Sequence, residues 1–351
     1  MGDMVIACKK LWKIFGEHGD EVMKTVQEEG LGKAEVLKRF QSVLAVADVS
    51  FEVTQGEIFC IMGLSGSGKS TLLRLINRLI EPTCGQILIN GEDIGNLDAK
   101  GLRTLRSAKI GMVFQNVALL PHRVVRDNVA FALELRHVAQ PERYEVAERM
   151  LHHVGLSGWE DRMPSELSGG MQQRVGLARA LAADPDILLM DEPFSALDPL
   201  IRRQLQGQFL ELSSVLRKTT VFITHDLDEA IRLGNRIAIM KDGFLMQIGT
   251  PEEIVTKPVD DYVAEFVKGI SRLTLIHAHT VMQPIDAYHG AMGEDLACFP
   301  TAPPEADLND LINLSVDTDK PILILKDRKP IGIVTKRNLL RGIQGEENYG
   351  G

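Results

Sequence analysis

The sequence lacks any long apolar segment, and no stretch approaches the roughly 18 to 20 apolar residues that a membrane-spanning helix requires. Residues 1–10 also lack the basic-then-apolar pattern of a secretory leader. We therefore expect a cytoplasmic protein that meets a membrane only through a partner.

Cysteine is scarce, and Cys8, Cys60, Cys84 and Cys298 form no C-x-x-C pair. Their scatter indicates neither a zinc site nor a disulfide framework, and favours reduced structural thiols. Basic charge is also in deficit, since 39 Lys and Arg stand against 48 Asp and Glu for a net charge of −9. This balance argues against nucleic acid as the main ligand, although a local basic patch stays open.

The chain has 351 residues, which predicts one large domain plus a smaller one. Its most informative stretch lies between an apolar run at 58–62, typical of a buried strand, and a helix start at 72–76. The stretch reads Gly63, Leu64, Ser65, Gly66, Ser67, Gly68, Lys69, Ser70, Thr71.

This G-x-x-x-x-G-K-S pattern between strand and helix predicts a phosphate-binding loop. Glycines let the backbone bend with its N–H groups inward, and the helix N-terminus adds positive potential. Lys69 would reach the β- and γ-phosphates of a nucleoside triphosphate, and the Ser70 hydroxyl would ligate Mg²⁺. The alternative is a glycine-rich turn without a ligand.

Strand and helix patterns alternate through most of the chain, which predicts an α/β fold of the doubly wound type. The apolar runs at 110–114, 187–190, 220–224 and 236–240 suit strands, and residues 117–165 have helical spacing broken by prolines. We interpret the latter as an all-helical insertion. A helix-like segment at 19–40 precedes the strands.

Asp191 and Glu192 follow an apolar strand at the edge where open α/β sheets place ligand-binding groups. Asp191 would complete a Mg²⁺ site opposite the phosphate loop, and Glu192 would polarise an attacking water. The alternative is a surface acid on a loop. Farther upstream, Phe15 or Trp12 could stack on a purine base, although an aromatic residue is more often part of a core.

These motifs together resemble the nucleotide-binding subunit of an ATP-binding-cassette (ABC) transporter. The resemblance covers residues 44–246 and rests on six motifs in order: the phosphate loop, Gln115, the signature 167–174, Asp191-Glu192, the loop 195–198, and His225. It implies ATP and Mg²⁺ as ligands, with Gln115 contacting Mg²⁺ and the attacking water. His225 would hold the γ-phosphate and position Glu192.

The resemblance also implies a head-to-tail dimer of two copies. Ser168, Gly169 and Gly170 of one copy would close over the phosphate held by Lys69 of the other, and Asp198 would link the two sites. The segment from Asn116 to Arg123 would dock on membrane-embedded permease subunits, its alternative being a buried lead-in to a helix.

A narrower similarity points to the glycine betaine/proline-type quaternary-amine importers. It rests on residues 11–16, the helical insertion before the strands, residues 76–83 and residues 198–202. The tail from Asp307 to Gln344 resembles one cystathionine-β-synthase (CBS) motif, which would bind a nucleotide, respond to ionic strength, or serve as a scaffold. Asn338 stands where adenosine-binding versions tend to have Asp.

We therefore predict a phosphate-loop NTPase cassette with a helical subdomain and a small C-terminal α+β CBS-like domain. The predicted boundaries are an N-terminal extension with a helical insertion at 1–41, an ATPase domain 42–250 with its helical subdomain at about 116–172, a helical connector 251–272, a CBS-like domain 273–345 and a tail 346–351.

The predicted function is the ATPase subunit of an importer for glycine betaine, proline betaine or choline, at the cytoplasmic face of the membrane. An external substrate-binding protein would select the solute. The alternatives are an importer for another small solute such as an amino acid, a soluble cassette ATPase, or a purely regulatory nucleotide-binding module.

Overall fold

The computed structural model describes residues 3–115, 117–195, 197–285, 288, 298–316 and 318–344. Asn116 and the predicted tail 346–351 lie outside the described residues, as does Ala196 of the predicted loop 195–198. The chain divides into two compact units, Met1–Ile248 and Gly249–Gly351.

Thirteen strands occur in the described parts of the chain. They are β1 (Met4–Phe15), β2 (Val43–Thr54), β3 (Ile58–Met62), β4 (Cys84–Ile89), β5 (Glu92–Asp93), β6 (Ile110–Val113), β7 (Ile187–Asp191), β8 (Thr219–Thr224), β9 (Arg236–Lys241), β10 (Phe244–Gly249), β11 (Thr301–Ala302), β12 (Ile322–Lys326) and β13 (Lys329–Val334).

The same parts contain fourteen α-helices. They are α1 (Gly19–Glu29), α2 (Lys33–Phe40), α3 (Lys69–Ile76), α4 (Ala99–Lys109), α5 (Val125–Leu135), α6 (Gln140–His153), α7 (Gly169–Ala182), α8 (Pro199–Leu216), α9 (Leu227–Leu233), α10 (Pro251–Thr256), α11 (Asp261–Val267), α12 (Ala278–Val281), α13 (Leu308–Val316) and α14 (Lys336–Gln344). Within the described chain, none of the helices is both long and apolar enough to cross a bilayer.

Two sheets form the first unit. An antiparallel sheet has the order β2-β1-β4-β5, and a six-stranded sheet has the order β10-β9-β3-β8-β7-β6. The pairs β3–β8, β3–β9, β6–β7 and β7–β8 are parallel. The predicted α/β architecture with a parallel sheet is therefore confirmed.

The core of the first unit joins both sheets to helix α3. Its buried apolar side chains come from β1, β2 and β4 on one side and from β3, β7, β8 and β9 on the other. The rings of Phe51 and Phe59 stack with centroids 4.9 Å apart. Burial on this scale is the main favourable contribution to folding, at roughly 25 cal/mol per Å² of apolar surface.

The N-terminal segment, predicted as an extension with a helical insertion at residues 1–41, lies in the first compact unit. Strand β1 pairs with both β2 and β4, and its residues Val5, Ile6 and Leu11 lie in the shared core. Helices α1 and α2 occupy the predicted helical segment 19–40, between β1 and β2. The boundary after residue 41 therefore does not separate compact units.

The predicted helical insertion contains α5 and α6, which pack on α7. The loop before α5 is held by the buried side chain of Asn128, which accepts from Leu120 N at 2.7 Å and donates to the Arg123 and Val124 carbonyls. Arg179 of α7 donates to the Val117 and Ala118 carbonyls at 2.7 and 2.9 Å. These bonds satisfy backbone groups that the loop leaves unpaired.

The second unit places β11 parallel to β12 and β12 antiparallel to β13. Strand β12, the turn at 327–328, β13 and α14 follow α13 in the predicted helix–strand–strand–helix order. The apolar sides of α12, α13, β12 and α14 form its core. Helices α10 and α11 occupy the predicted connector and are grouped with this unit.

Candidate functional site

The loop at 63–68 joins β3 to α3 in a conformation that requires glycine at two positions. Gly63 has φ +151°, and a Cβ there would lie 2.2 Å from the Met240 carbonyl oxygen. Gly68 has φ +105°, and a Cβ there would lie 2.1 Å from the Ala45 carbonyl oxygen. Any larger residue would displace backbone, so the glycine pattern read in the sequence has a steric cause in this fold.

Lys69 begins helix α3, and its ammonium returns to the loop. Its Nζ donates to the Gly63 carbonyl at 2.8 Å and to the Leu64 carbonyl at 3.0 Å. Burial lowers the pKa of this ammonium, while the carboxylates of Glu192 and Asp191 act in the opposite direction. A positive charge is thus held at the mouth of the loop at some cost, which an anionic ligand would offset.

Ser67 and the exposed residues Ser65 and Gly66 complete the loop. The Ser67 hydroxyl is buried, and no hydrogen-bond partner is found for its oxygen among the described residues. A buried polar atom without a partner calls for an explanation, and a phosphate oxygen would supply the missing acceptor. The loop therefore fits a phosphate group.

Ser70 and Asp191 face each other across the beginning of α3 and the end of β7. Ser70 Oγ donates to Asp191 Oδ1 at 2.9 Å. Burial raises the pKa of the Asp191 carboxyl, which is only 2% exposed, and the Ser70 hydroxyl acts against that rise. A hydroxyl and a buried carboxylate are oxygen ligands of the kind that Mg²⁺ prefers, so the residues present fit this ion.

Two other predicted residues, Gln115 and His225, contact the carboxylate of Glu192. Gln115 Nε2 donates to Glu192 Oε2 at 3.3 Å, and His225 Nδ1 lies 3.1 Å from the same oxygen. Glu192 has φ +48°, in the left-handed region, and its N–H donates to the Ile223 carbonyl. A left-handed non-glycine residue costs of order 1 kcal/mol, and such residues cluster at functional sites.

The strand register explains why these residues meet. Asp191 lies opposite Ile223, Met62 lies opposite Thr224, and Val113 lies opposite Met190. Strands β3, β6, β7 and β8 are parallel and end together, so the residues that follow them share one edge of the sheet. The structure thus brings together Gln115, Asp191, Glu192, His225 and the phosphate loop.

The signature residues lie elsewhere on the surface. Ser168 is the N-cap of α7 and accepts from Met171 N at 3.3 Å, and both Ser168 and Gly169 are exposed. Gly170 is partly exposed, and Asp198 is exposed at the start of α8. No hydrogen bond or ion pair described for residues 168–170 reaches the phosphate loop.

The two candidate residues for stacking on a base, Trp12 and Phe15, differ in solvent exposure. Trp12 is 3% exposed and packs in a small core with Val22, Val26 and Val36 of α1 and α2. Phe15, at the end of β1, is 40% exposed, with the Lys13 ammonium 4.9 Å from its ring centroid. Of the two, only Phe15 has a ring surface accessible to a base.

A buried network behind His225 was missed by the sequence reasoning. Glu229 of α9 accepts from Thr224 Oγ1 at 2.7 Å and from Gln206 Nε2 of α8 at 3.0 Å. Arg202 of α8 reaches Asp226 at 3.3 Å and donates to the Leu197 carbonyl at 3.2 Å. The network ties the loop before α8 to the segment that carries His225.

An acidic residue at an inward position of α9 was the available signal for this network, because a buried carboxylate needs partners. Lys33 was missed as well. Lys33 lies in the N-terminal helical insertion at residues 19–40, and its Nζ donates to the Gly66 carbonyl at 2.5 Å. Nothing in the spacing of the insertion relates it to a loop 33 residues away.

Fold and site together define a phosphate-loop nucleotide-binding domain whose nucleotide-facing residues come from adjacent ends of a parallel sheet. A family model described as "ABC transporter" matches residues 46–195. The chain is 50% identical to the trimethylamine N-oxide transport system ATP-binding protein of Ruegeria pomeroyi, over 85% of this chain and 88% of that protein. It belongs to the ABC transporter family, and the resemblance stated from its motifs is confirmed.

Other relatives carry related names. The glycine betaine/proline betaine transport system ATP-binding protein ProV of Salmonella typhimurium is 55% identical over 75% of this chain. The match spans 65% of that protein's length, which is slightly less than two thirds. Among solved structures, a dimeric ATP-binding cassette in a post-hydrolysis state with ADP and Pi superposes with a TM-score of 0.61 at 32% identity, over 70% of this chain and 98% of that one.

Proposed function

We propose that this protein is the ATP-hydrolysing subunit of an ABC importer for a quaternary-amine compatible solute such as glycine betaine, proline betaine or choline. The observation that carries the enzymatic part is the convergence of Gln115 and His225 on one oxygen of Glu192, beside the phosphate loop. The names of the relatives, which include glycine betaine and choline transport proteins, support the solute class.

In this proposal, the loop N–H groups and Lys69 bind the β- and γ-phosphates of ATP. Glu192 accepts a proton from water while the water oxygen bonds to the γ-phosphorus and the bond from that phosphorus to the bridging oxygen of ADP breaks. Gln115 and His225 fix the carboxylate that receives the proton. Phe15 offers a face for adenine.

Ser70 and Asp191 would hold Mg²⁺, with Gln115 within the same cluster. The ion neutralises charge on the phosphates when it is bound. Thr71, the next residue of α3 after Ser70, adds its N–H to the positive end of the helix.

A second copy would complete the site. Ser168, Gly169 and Gly170 begin helix α7, which presents N–H groups and positive potential at an exposed surface. In a head-to-tail dimer this surface would face the γ-phosphate bound by the partner, with Asp198 between the two sites. Residues 117–123 would carry the contact with permease subunits, which would hold the protein at the cytoplasmic face of the membrane.

The function of the second unit stays a prediction. Asn338 is buried, and its Oδ1 accepts from Thr335 N at 3.0 Å and from the Thr335 hydroxyl. Its side chain therefore caps the start of α14.

The test is ATP-dependent uptake by the complete transporter reconstituted in vesicles, with labelled glycine betaine, choline and an amino acid offered in parallel. We expect uptake of a methylated amine and stimulation of ATP hydrolysis by its binding protein. Uptake of the amino acid alone would instead support the alternative importer, and hydrolysis without uptake of any solute would support a soluble ATPase.

A further inference from the structure

The helical insertion 19–40 is firmly attached to the antiparallel sheet. Val22, Val26 and Val36 are at most 3% exposed and pack against Trp12 and Leu44 of β1 and β2. An ion pair between Glu29 and Arg39 joins α1 to α2. The insertion is therefore a platform held against the sheet by buried apolar side chains.

Lys33 is the first residue of α2, at the edge of this platform. The start of α2 is set by Glu35, whose carboxylate accepts from Gly32 N at 2.8 Å. From this position, the half-buried Lys33 side chain extends to the phosphate loop, and its Nζ donates to the Gly66 carbonyl at 2.5 Å.

Helix energetics do not explain a lysine at this place. The N-terminus of a helix carries a partial positive charge, so a cation in the first turn is unfavourable by a few tenths of a kcal/mol. A residue that violates a local rule usually serves another purpose. Here that purpose is the contact with the loop.

Two ammonium groups thus hold three loop carbonyls from different sides. Lys69 binds those of Gly63 and Leu64, and Lys33 binds that of Gly66. If Lys69 turned to a phosphate, the contact of Lys33 with the Gly66 carbonyl could persist, because the two ammonium groups bind different carbonyls. A loop already in its binding shape loses less conformational entropy on binding.

We propose that Lys33 is a positioning residue of the ATP site, through which the helical insertion holds the phosphate loop in its phosphate-binding conformation. This inference rests on the proposed function only in taking the loop as an ATP site. It assigns the insertion a part in nucleotide affinity.

The test compares ATP affinity of the full-length chain and of three variants, by displacement of a fluorescent ATP analogue. In Lys33→Met we expect the Kd for ATP to rise about threefold to tenfold, as for loss of one charge-assisted hydrogen bond at a partly exposed position. Lys33→Arg should retain the wild-type Kd. Lys38→Met removes an exposed lysine from the same helix and should change nothing.

Two further readouts separate positioning from a general structural role. The midpoint of thermal unfolding should be the same in all four proteins, and kcat at saturating ATP should stay within about twofold, because a positioning group acts on binding. A Kd for Lys33→Met equal to that of Lys38→Met overturns the inference, as does an equal loss in Lys33→Met and Lys33→Arg. If the wild-type chain itself binds no ATP, the proposed function fails instead.

Discussion

The phosphate loop and the signature segment both lead into the N-terminus of a helix, yet they differ in how they are supported. Around the loop, side-chain hydrogen bonds connect several residues to one another or to the loop. They involve Lys33, Lys69, Ser70, Asp191, and Glu192 with Gln115. At the signature, Ser168 caps its own helix, and Gly169 is exposed. The residues of the phosphate-loop region, here called the assembled region, contact one another within one chain, whereas the residues of the signature segment are exposed at the surface.

In the proposed mechanism, one chain would supply the carboxylate that activates water but would leave one face of the bound phosphates uncovered. The exposed helix start of α7 has the chemistry to cover such a face. In the proposed head-to-tail dimer, a partner copy would supply this second region.

The largest effect is expected from Glu192→Gln, which acts only on the assembled region. The amide keeps the size of the side chain but cannot accept a proton. We expect hydrolysis to fall about 10²- to 10⁴-fold, as for loss of a general base, with the Kd for ATP nearly unchanged. Steady-state phosphate release and nucleotide binding by the purified chain measure the two quantities.

Glu211→Gln provides the matched control, since it makes the same change on α8. It should leave hydrolysis within about twofold of the wild type. Near-normal turnover in Glu192→Gln would remove Glu192 from the mechanism and would make the convergence of Gln115 and His225 on it irrelevant to chemistry.

A smaller effect concerns stability and its dependence on pH. Burial raises the pKa of Asp191, so its ionised form costs the folded state free energy at neutral pH. Asp191→Asn removes that charge while its amide oxygen can still accept from Ser70. We expect the nucleotide-free chain to gain about 1 kcal/mol, or roughly 2–4 °C in Tm, at pH 7.

The pH dependence of this gain in stability follows from the direction of the pKa shift of Asp191. Below the ordinary aspartate pKa of about 4, the carboxyl is protonated in both folded and unfolded chains, so the gain should vanish there. Asp198→Asn is the control, because Asp198 is exposed and Asn is an equally good N-cap. A gain that is as large in Asp198→Asn, or that persists at acid pH, would contradict the assignment. Thermal scans across pH give the answer.

Much of the assembled region could be predicted from sequence, because local patterns specify it. The apolar run of β3 followed by glycines and Lys69 fixes strand, loop and helix within a dozen residues. The apolar run of β7 followed by Asp191 and Glu192 does the same. Parallel pairing then brings the strand ends together without any further information.

The contacts missed were long-range ones. Lys33 reaches Gly66 only because the insertion packs on β1 and β2, and the pairing of β1 with β4 is likewise set by the whole sheet. The strands that pair with β1 lie far from it in the sequence, since β2 begins at Val43 and β4 at Cys84.

The head-to-tail arrangement can be tested by mixing two inactive copies. Lys69→Met leaves the signature intact, and Ser168→Arg leaves the phosphate loop intact. In a hybrid dimer of these two variants, one composite site combines the intact phosphate loop of the Ser168→Arg copy with the intact signature of the Lys69→Met copy. The comparison partner is a hybrid of the wild type with the double variant Lys69→Met/Ser168→Arg, in which both composite sites contain one defective half.

ATP hydrolysis by the two tagged and purified hybrids is the deciding measurement. If each site takes its signature from the other copy, the hybrid of two single variants hydrolyses ATP and the wild-type/double-variant hybrid does not. If each chain instead completed its own site, the result would be the reverse, and activity confined to the wild-type/double-variant hybrid would contradict the dimer proposed here.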